Sequence, residues 1–187
     1  FTSRSQAISI ASGTQIDDIV SQINTALSST VAEVRTGSVA STQASDSAPI
    51  TASTTFANIA GANVADGDTI YITGMDHDGA RISGSYTITD KDTATVGDLL
   101  AQVRSTFGGT VSASVDSSGK IVVTDSKTGN SQMAIALIEK NEGGGSLDFG
   151  SMDETAQGRY AIGVTASTSG GKLNLTASSY GSKYGFP

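Results

Sequence analysis

His77 is the only histidine in 187 residues, and it stands between Asp76 and Asp78. An imidazole beside two carboxylates is the kernel of a metal site, because both donor types ligate divalent ions. The spacing argues against one. Neighbours in an extended chain point to opposite faces, and no third ligand stands at a fixed distance. Asp76-His77-Asp78-Gly79 reads instead as the tip of a hairpin between two strands. The Asp-rich turns at 90–92 and 125–129 invite comparison with calcium loops, but they lack the alternating Asp-x-Asp-x-Asp-Gly pattern with a distal Glu. They are expected to be solvated turns.

Nucleophilic chemistry finds no better footing. There is no cysteine, so thiol catalysis, disulfides and Cys-ligated metals are excluded. Serine is abundant, yet no Gly-x-Ser-x-Gly elbow occurs and the single histidine lies in a turn. A glycosidase needs two opposed carboxylates, and acids scattered over surface turns select no pair. Gly143-Gly144-Gly145 follows no strand-to-helix phosphate pattern and reads as flexible linker. Asn174-Leu175-Thr176 fits a glycosylation acceptor but falls in an expected strand. No catalytic, cofactor or metal-ligating residue is assigned, and the chain is expected not to be an enzyme. One polar side chain stands out structurally: Asn24, on a helix flank, where its amide either bonds a neighbouring backbone or faces solvent.

Two segments have helical period. Ile16, Ile19, Val20, Ile23, Ala26 and Leu27 share one face; Val96, Leu99, Leu100, Val103 and Phe107 share another. Thr14 precedes Asp17, and Thr95 precedes Asp98, by three residues, so each threonine is expected to cap its helix. Gly108 and Gly109 supply a stop for the second. Alternation predicts strands at Ala7–Ile10, Thr69–Thr73, Ile82–Thr89, Val111–Val115, Lys120–Thr124, Met133–Ile138, Tyr160–Ala166 and Lys172–Ala177. Asp116-Ser117-Ser118-Gly119 and Ser169-Gly170-Gly171 read as further hairpin turns.

The composition is polar and acidic. The net charge is −7, and 37% of residues are apolar, below the usual 45–50%, so any core must be thin. Few aromatics and an acidic balance argue against nucleic-acid binding. No window approaches the length of a membrane span. The start at Phe1 rather than Met suggests an internal fragment without a signal peptide.

An internal repeat sets the expected architecture. At an offset of 80, Ile8 matches Ile88, Ile16 matches Val96, Ile19 and Val20 match Leu99 and Leu100, Ile23 matches Val103, and Thr30-Val31 match Thr110-Val111. Both copies read strand, helix, strand. The second continues into a hairpin; the first does not, but at an offset of 52 Gly119-Lys120 match Gly171-Lys172, Thr124 matches Thr176 and Gly129 matches Gly181. The expected fold is therefore α+β and β-rich: two small strand-helix-β-hairpin domains, one inserted into the other. Residues 1–40 with 156–187 form the outer, split copy. Residues 45–155 form the inserted copy with extra strands, foldable alone, and linkers lie near 38–51 and 141–158. The alternative is one continuous β-rich domain with similar hairpins.

These residues carry a resemblance. An amphipathic helix with Ile23-Asn24, a Val164-Thr165-Ala166-Ser167 strand, a glycine turn, Leu173-Asn174-Leu175-Thr176-Ala177-Ser178 and a Tyr180-Gly181-Ser182 step together resemble the flagellin hook IN motif. That motif occurs in bacterial flagellins and hook-associated proteins, including the filament cap. The motif residues are Ile23, Asn24, Tyr180 and Gly181. The inserted copy has Val103-Arg104 in place of Ile-Asn, so its likeness rests on pattern alone. Gly67–Gly74 through Ile121–Asp125 also look like inserts in long flagellin-family proteins. The coiled-coil termini that build a filament core in that family are not in this sequence.

The resemblance implies structural, non-enzymatic, surface-exposed domains on the outer part of an extracellular flagellar filament, serving motility. Export of unfolded flagellar subunits fits a cysteine-free chain. The implied partners are neighbouring flagellar subunits, through regions outside this sequence, and host receptors or glycans; neither nucleic acid nor membrane is implied, and the isolated chain is expected to be monomeric. A filament cap or hook-filament junction protein is the near alternative. A carbohydrate- or receptor-binding adhesin module is the other, with Tyr71, Tyr86, Tyr160, Tyr180 and Tyr184 as its candidate contacts.

Overall fold

The computed structural model describes residues 11 and 13–177. They form a mixed α+β, β-rich chain of two helices and nine strands in three small sheets. In order these are α1 (Ile16–Ser28), β1 (Ala32–Gly37), β2 (Thr69–Met75), β3 (Arg81–Thr87), α2 (Val96–Thr106), β4 (Val111–Val115), β5 (Ile121–Thr128), β6 (Ala134–Lys140), β7 (Met152–Ala156), β8 (Val164–Ser169) and β9 (Lys172–Ala177), with a 3-10 turn at Phe56–Asn58. The chain divides into two compact units. One comprises its two ends, up to Thr30 and from Tyr160; the other is Val31–Arg159. The strand expected at Ala7–Ile10 lies outside the described residues.

The Val31–Arg159 unit holds a four-stranded sheet ordered β4-β5-β1-β7 and a three-stranded sheet ordered β3-β2-β6, every adjacent pair antiparallel. Alternation drives both. Ile70 and Ile72 of β2, Ile135 and Leu137 of β6, and Ile121 and Val123 of β5 all turn inward and are buried. Between β2 and β6 the chains come so close at Gly74 that a Cβ there would strike the Ala134 backbone.

Helix α2 packs Val96, Leu99, Leu100 and Val103 into this core, the face the 3.6 period predicts. Both its ends behave as the sequence says. The Thr95 hydroxyl accepts from the Asp98 amide at 3.3 Å, and the Asp98 carboxylate accepts from the Thr95 amide at 2.8 Å, a reciprocal capping box. At the other end, Gly108 and Gly109 have φ of +63° and +77°, which only glycine adopts cheaply. There the Gly109 N–H bonds the Arg104 carbonyl and the Gly108 N–H the Ser105 carbonyl, satisfying the last turn.

Three expectations are corrected. Thr14 does not cap α1. Gln15 is the N-cap, without a side-chain bond, and the Thr14 hydroxyl donates to the Ala11 carbonyl at 2.8 Å, closing the preceding turn. The stretches 38–51 and 141–158 are not linkers. Ile50, Leu147, Phe149 and Met152 are buried, the Thr42–Pro49 bridge folds the first stretch back on itself, and β7 forms within the second. Their apolar residues are too sparse to show a period, yet these four fill core space, while Val39 is exposed. Boundaries at 40 and 45 also fall on the wrong side of β1. That strand lies between β5 and β7, so it belongs to the four-stranded sheet rather than to the outer copy.

The other unit is small. Its described part is α1 and the β8–β9 hairpin, with continuous register from Val164↔Ala177 to Ser169↔Lys172. No α1 residue is fully buried; Ile19, Val20, Ile23, Ala26 and Leu27 of its apolar face are half-buried while Ile16 is exposed, and Ala166 on β8 is the buried apolar residue of the described hairpin. The strand expected from Tyr160 starts at Val164. Ahead of it the Val164 N–H bonds the Ile162 carbonyl at 2.7 Å, a three-residue turn that interrupts extension.

Candidate functional site

Asn24 projects from α1 and meets the backbone of Ala166 in both directions. Its Nδ2 donates to the Ala166 carbonyl at 3.0 Å, and its Oδ1 accepts from the Ala166 N–H at 2.7 Å. A strand residue directs its N–H and C=O to the same side, so Ala166 turns this pair away from β9 and the Asn24 amide pairs with it as a further peptide group would. Ile23, the other half of the dipeptide, is half-buried. Tyr180 and Gly181 lie outside the described residues.

The repeat places the same contact in the Val31–Arg159 unit. Asn24 aligns with Arg104 at the offset of 80. Paired strand ends put Val111 against Asp125 and Val164 against Ala177, so the first strands correspond at an offset of 53 and the second at 52. The shorter turn of β8–β9 absorbs the difference. Ala113 then corresponds to Ala166, and the Arg104 Nη1 donates to the Ala113 carbonyl at 3.0 Å. Both alanines are buried, at 9% and 3% exposure. Different side chains at aligned helix positions thus hold aligned strand carbonyls. An arginine only donates, whereas the asparagine both donates and accepts.

His77 fastens the β2–β3 turn to β5. Its Nδ1 lies 2.6 Å from the Asp125 carboxylate, which also accepts the Ser131 hydroxyl at 2.7 Å and the Lys127 N–H at 2.9 Å. Asp125 is 3% exposed, so these bonds replace the water it has lost. The Asp76 carboxylate closes the hairpin turn through the Asp78 and Ala80 amides, and Asp78 faces Lys127 at 3.3 Å. The three consecutive side chains therefore diverge. Asp90 likewise serves its own turn, accepting from Asp92 and Thr93, and these bonds hold its carboxyl below the ordinary value. Among the described residues no three His, Asp or Glu side chains converge on a point. None of the described helices is long and apolar enough to cross a membrane.

One polar cluster escaped the sequence. Glu33 in β1 is 1% exposed; its Oε1 lies 2.7 Å from the Arg35 guanidinium, and its Oε2 accepts from the Gly158 N–H at 2.7 Å. Arg35 also reaches Glu154 at 3.2 Å. Burial pushes the Glu33 carboxyl up, opposed by the Gly158 N–H and reinforced by the neighbouring Glu154. The signal available was a Glu-x-Arg pair in a strand, which puts both on one face. Glu139 is also raised, chiefly by burial, against a bond from the Phe149 N–H.

Of the tyrosines, Tyr71 and Tyr160 are 43% and 57% exposed. Tyr86 is partly buried and stacks on Phe56 with ring centroids 5.8 Å apart. Tyr184 lies outside the described residues. Compared with known proteins, the chain matches no family model, no curated protein and no solved structure.

Proposed function

We propose that this chain supplies structural, non-enzymatic domains on the outer part of a bacterial flagellar filament, as part of a flagellin-family protein working outside the cell in motility. The observation that carries the reading is the two-way bond between Asn24 and Ala166. It gives the Ile-Asn dipeptide, the signature of the flagellin hook IN resemblance, a definite mechanical duty: docking helix to hairpin. The absence of converging chemistry among the described side chains is compatible with a scaffold but is not what the proposal rests on.

The experiment is immunogold labelling of sheared filaments with antibodies raised against this chain. Label along the whole filament supports the filament subunit. Label confined to the tip or to the hook end selects the cap or junction protein. Filaments without label, with the antigen found elsewhere on the cell, overturn the proposal.

A receptor- or glycan-binding module is the second reading. It is favoured by Tyr71, exposed on β2 directly opposite the exposed Ile138 of β6. A glycan array probed with the wild-type chain and Tyr71→Ala tests it; equal signals from both count against Tyr71 as a contact.

A further inference from the structure

The geometry points to the outer edge of β4 as a docking groove for an extended peptide strand that presents a carboxylate to Arg104 and the Ala113 N–H. β4 ends its sheet, with β5 on one side and no strand on the other among the described residues. The ladder phase fixes which groups face outward. Asp116 donates to Lys120 and Ser126 donates to Thr110, so the even-numbered residues of this strand bond β5. Val111, Ala113 and Val115 therefore turn their N–H and C=O away from it. A groove of about 270 Å³ runs along this edge, lined by Leu100 and Arg104 of α2, Thr51, Ala52, Ala113 and Val115.

The repeat indicates what is missing. At the aligned position, Asn24 satisfies both the N–H and the C=O of Ala166. Arg104 satisfies only the Ala113 carbonyl, and no group among the described residues accepts from the Ala113 N–H. The groove thus offers an outward N–H beside a guanidinium. Both are donors, and a carboxylate is the acceptor that takes both at once. Asp116 also lines the groove, three residues along the strand from Ala113, and its Oδ1 accepts from the Ser118 and Lys120 amides and the Ser118 hydroxyl. The strand edge adds main-chain bonds on either side of the carboxylate, the usual source of affinity in strand addition. The occupant is an acidic peptide segment, its carboxylate from a Glu or Asp side chain or from a chain terminus.

Titration of the ¹⁵N-labelled chain, followed by amide shifts, tests this. Three probes are used: the acetylated and amidated pentapeptide Val-Thr-Glu-Thr-Val, its Gln counterpart, and acetylated Val-Thr-Val with a free C-terminus. The Ala113 amide is expected to shift and saturate at millimolar concentrations with at least one carboxylate peptide. The tighter of the two identifies the carboxylate source. The Gln peptide is expected to bind at least about tenfold more weakly, a loss of about 1.4 kcal/mol. Arg104→Gln should weaken the acidic peptide to the same degree while the melting temperature shows it folded; Arg104→Lys should fall between. An Ala113 amide unmoved by both carboxylate peptides, a Gln peptide that binds as tightly as the better carboxylate peptide, or undiminished binding by a folded Arg104→Gln chain overturns the site.

Discussion

Asn24 and Ala166 lie 142 residues apart in sequence, yet the side-chain amide of one pairs with the backbone of the other through bonds of 2.7 and 3.0 Å. Among the described residues of this unit no α1 residue is fully buried, and Leu173 and Leu175 are about half exposed. Where the described packing is this shallow, a directional bond fixes register that packing alone leaves loose.

Asn24→Ala should therefore cost the small unit about 1–3 kcal/mol, because it leaves a buried strand N–H and C=O without partners. Hydrogen exchange at the Ala166 amide reads this directly. Its protection is expected to fall while amides of β2 and β5 keep theirs. Asn24→Asp keeps the acceptor but turns a carboxylate oxygen on the Ala166 carbonyl, so it should be no milder than alanine. Unchanged protection at Ala166 in the alanine variant contradicts this.

Removing the α2 cap should act on the other unit. Thr95→Ala loses the hydroxyl acceptor for the Asp98 amide, with an expected loss of about 1 kcal/mol. Urea unfolding followed by circular dichroism measures it, and an unchanged midpoint would show that tertiary packing holds the first turn unaided.

Loss of the His77 fastener strands a buried acid. His77→Ala removes one partner of Asp125 but leaves those from Ser131 and Lys127. The expected cost is about 1–3 kcal/mol. Since Asp76 and Asp78 are committed elsewhere, added zinc should shift the melting of wild type and variant alike. A zinc-dependent stabilisation found only in wild type would revive a metal role for His77.

The pH dependence has two opposed parts. Glu33 and Glu139 are raised above the ordinary value of 4.5, so the folded state takes up protons before the unfolded chain does. Stability should rise as pH falls from about 7 towards that value. Asp90, Asp98 and Asp116 are lowered from 3.8 by their turn and cap hydrogen bonds, and their contribution is lost as pH falls further through their folded values. A melting profile should peak near the ordinary carboxylate range, where the first effect is nearly complete and the second has not begun. Glu33→Gln should flatten the rise above the peak, and a profile that instead climbs steadily to pH 7 contradicts the raised carboxyls.

The division at Thr30/Val31 and Arg159/Tyr160 makes a further prediction. Residues 31–159 should fold when expressed alone. Residues 45–155 should not, since they omit β1 from between β5 and β7 and leave two strands without their neighbour. Cooperative melting of the shorter piece would show β1 to be dispensable.

Local signals reached far in this protein. The faces of both helices, the Thr95–Asp98 cap, the glycine stop after α2, the three hairpin turns and the bounds of β4 and β9 were legible, because each depends on residues within a few positions of one another. The repeat was legible too, and it aligns Asn24 with Arg104. What needed the tertiary structure was pairing across long separations. β1 looked like the end of the α1 copy, but Val34 pairs with Thr124 and Ala156. The apolar residues at 147, 149 and 152 carried no period, and their burial depends on the sheets around them. Glu33 and His77 gained their meaning only from Gly158 and Asp125, 125 and 48 residues away. Sequence periodicity determines which face of an element is apolar; which element covers that face, and which backbone groups it leaves open, is decided by the assembled chain.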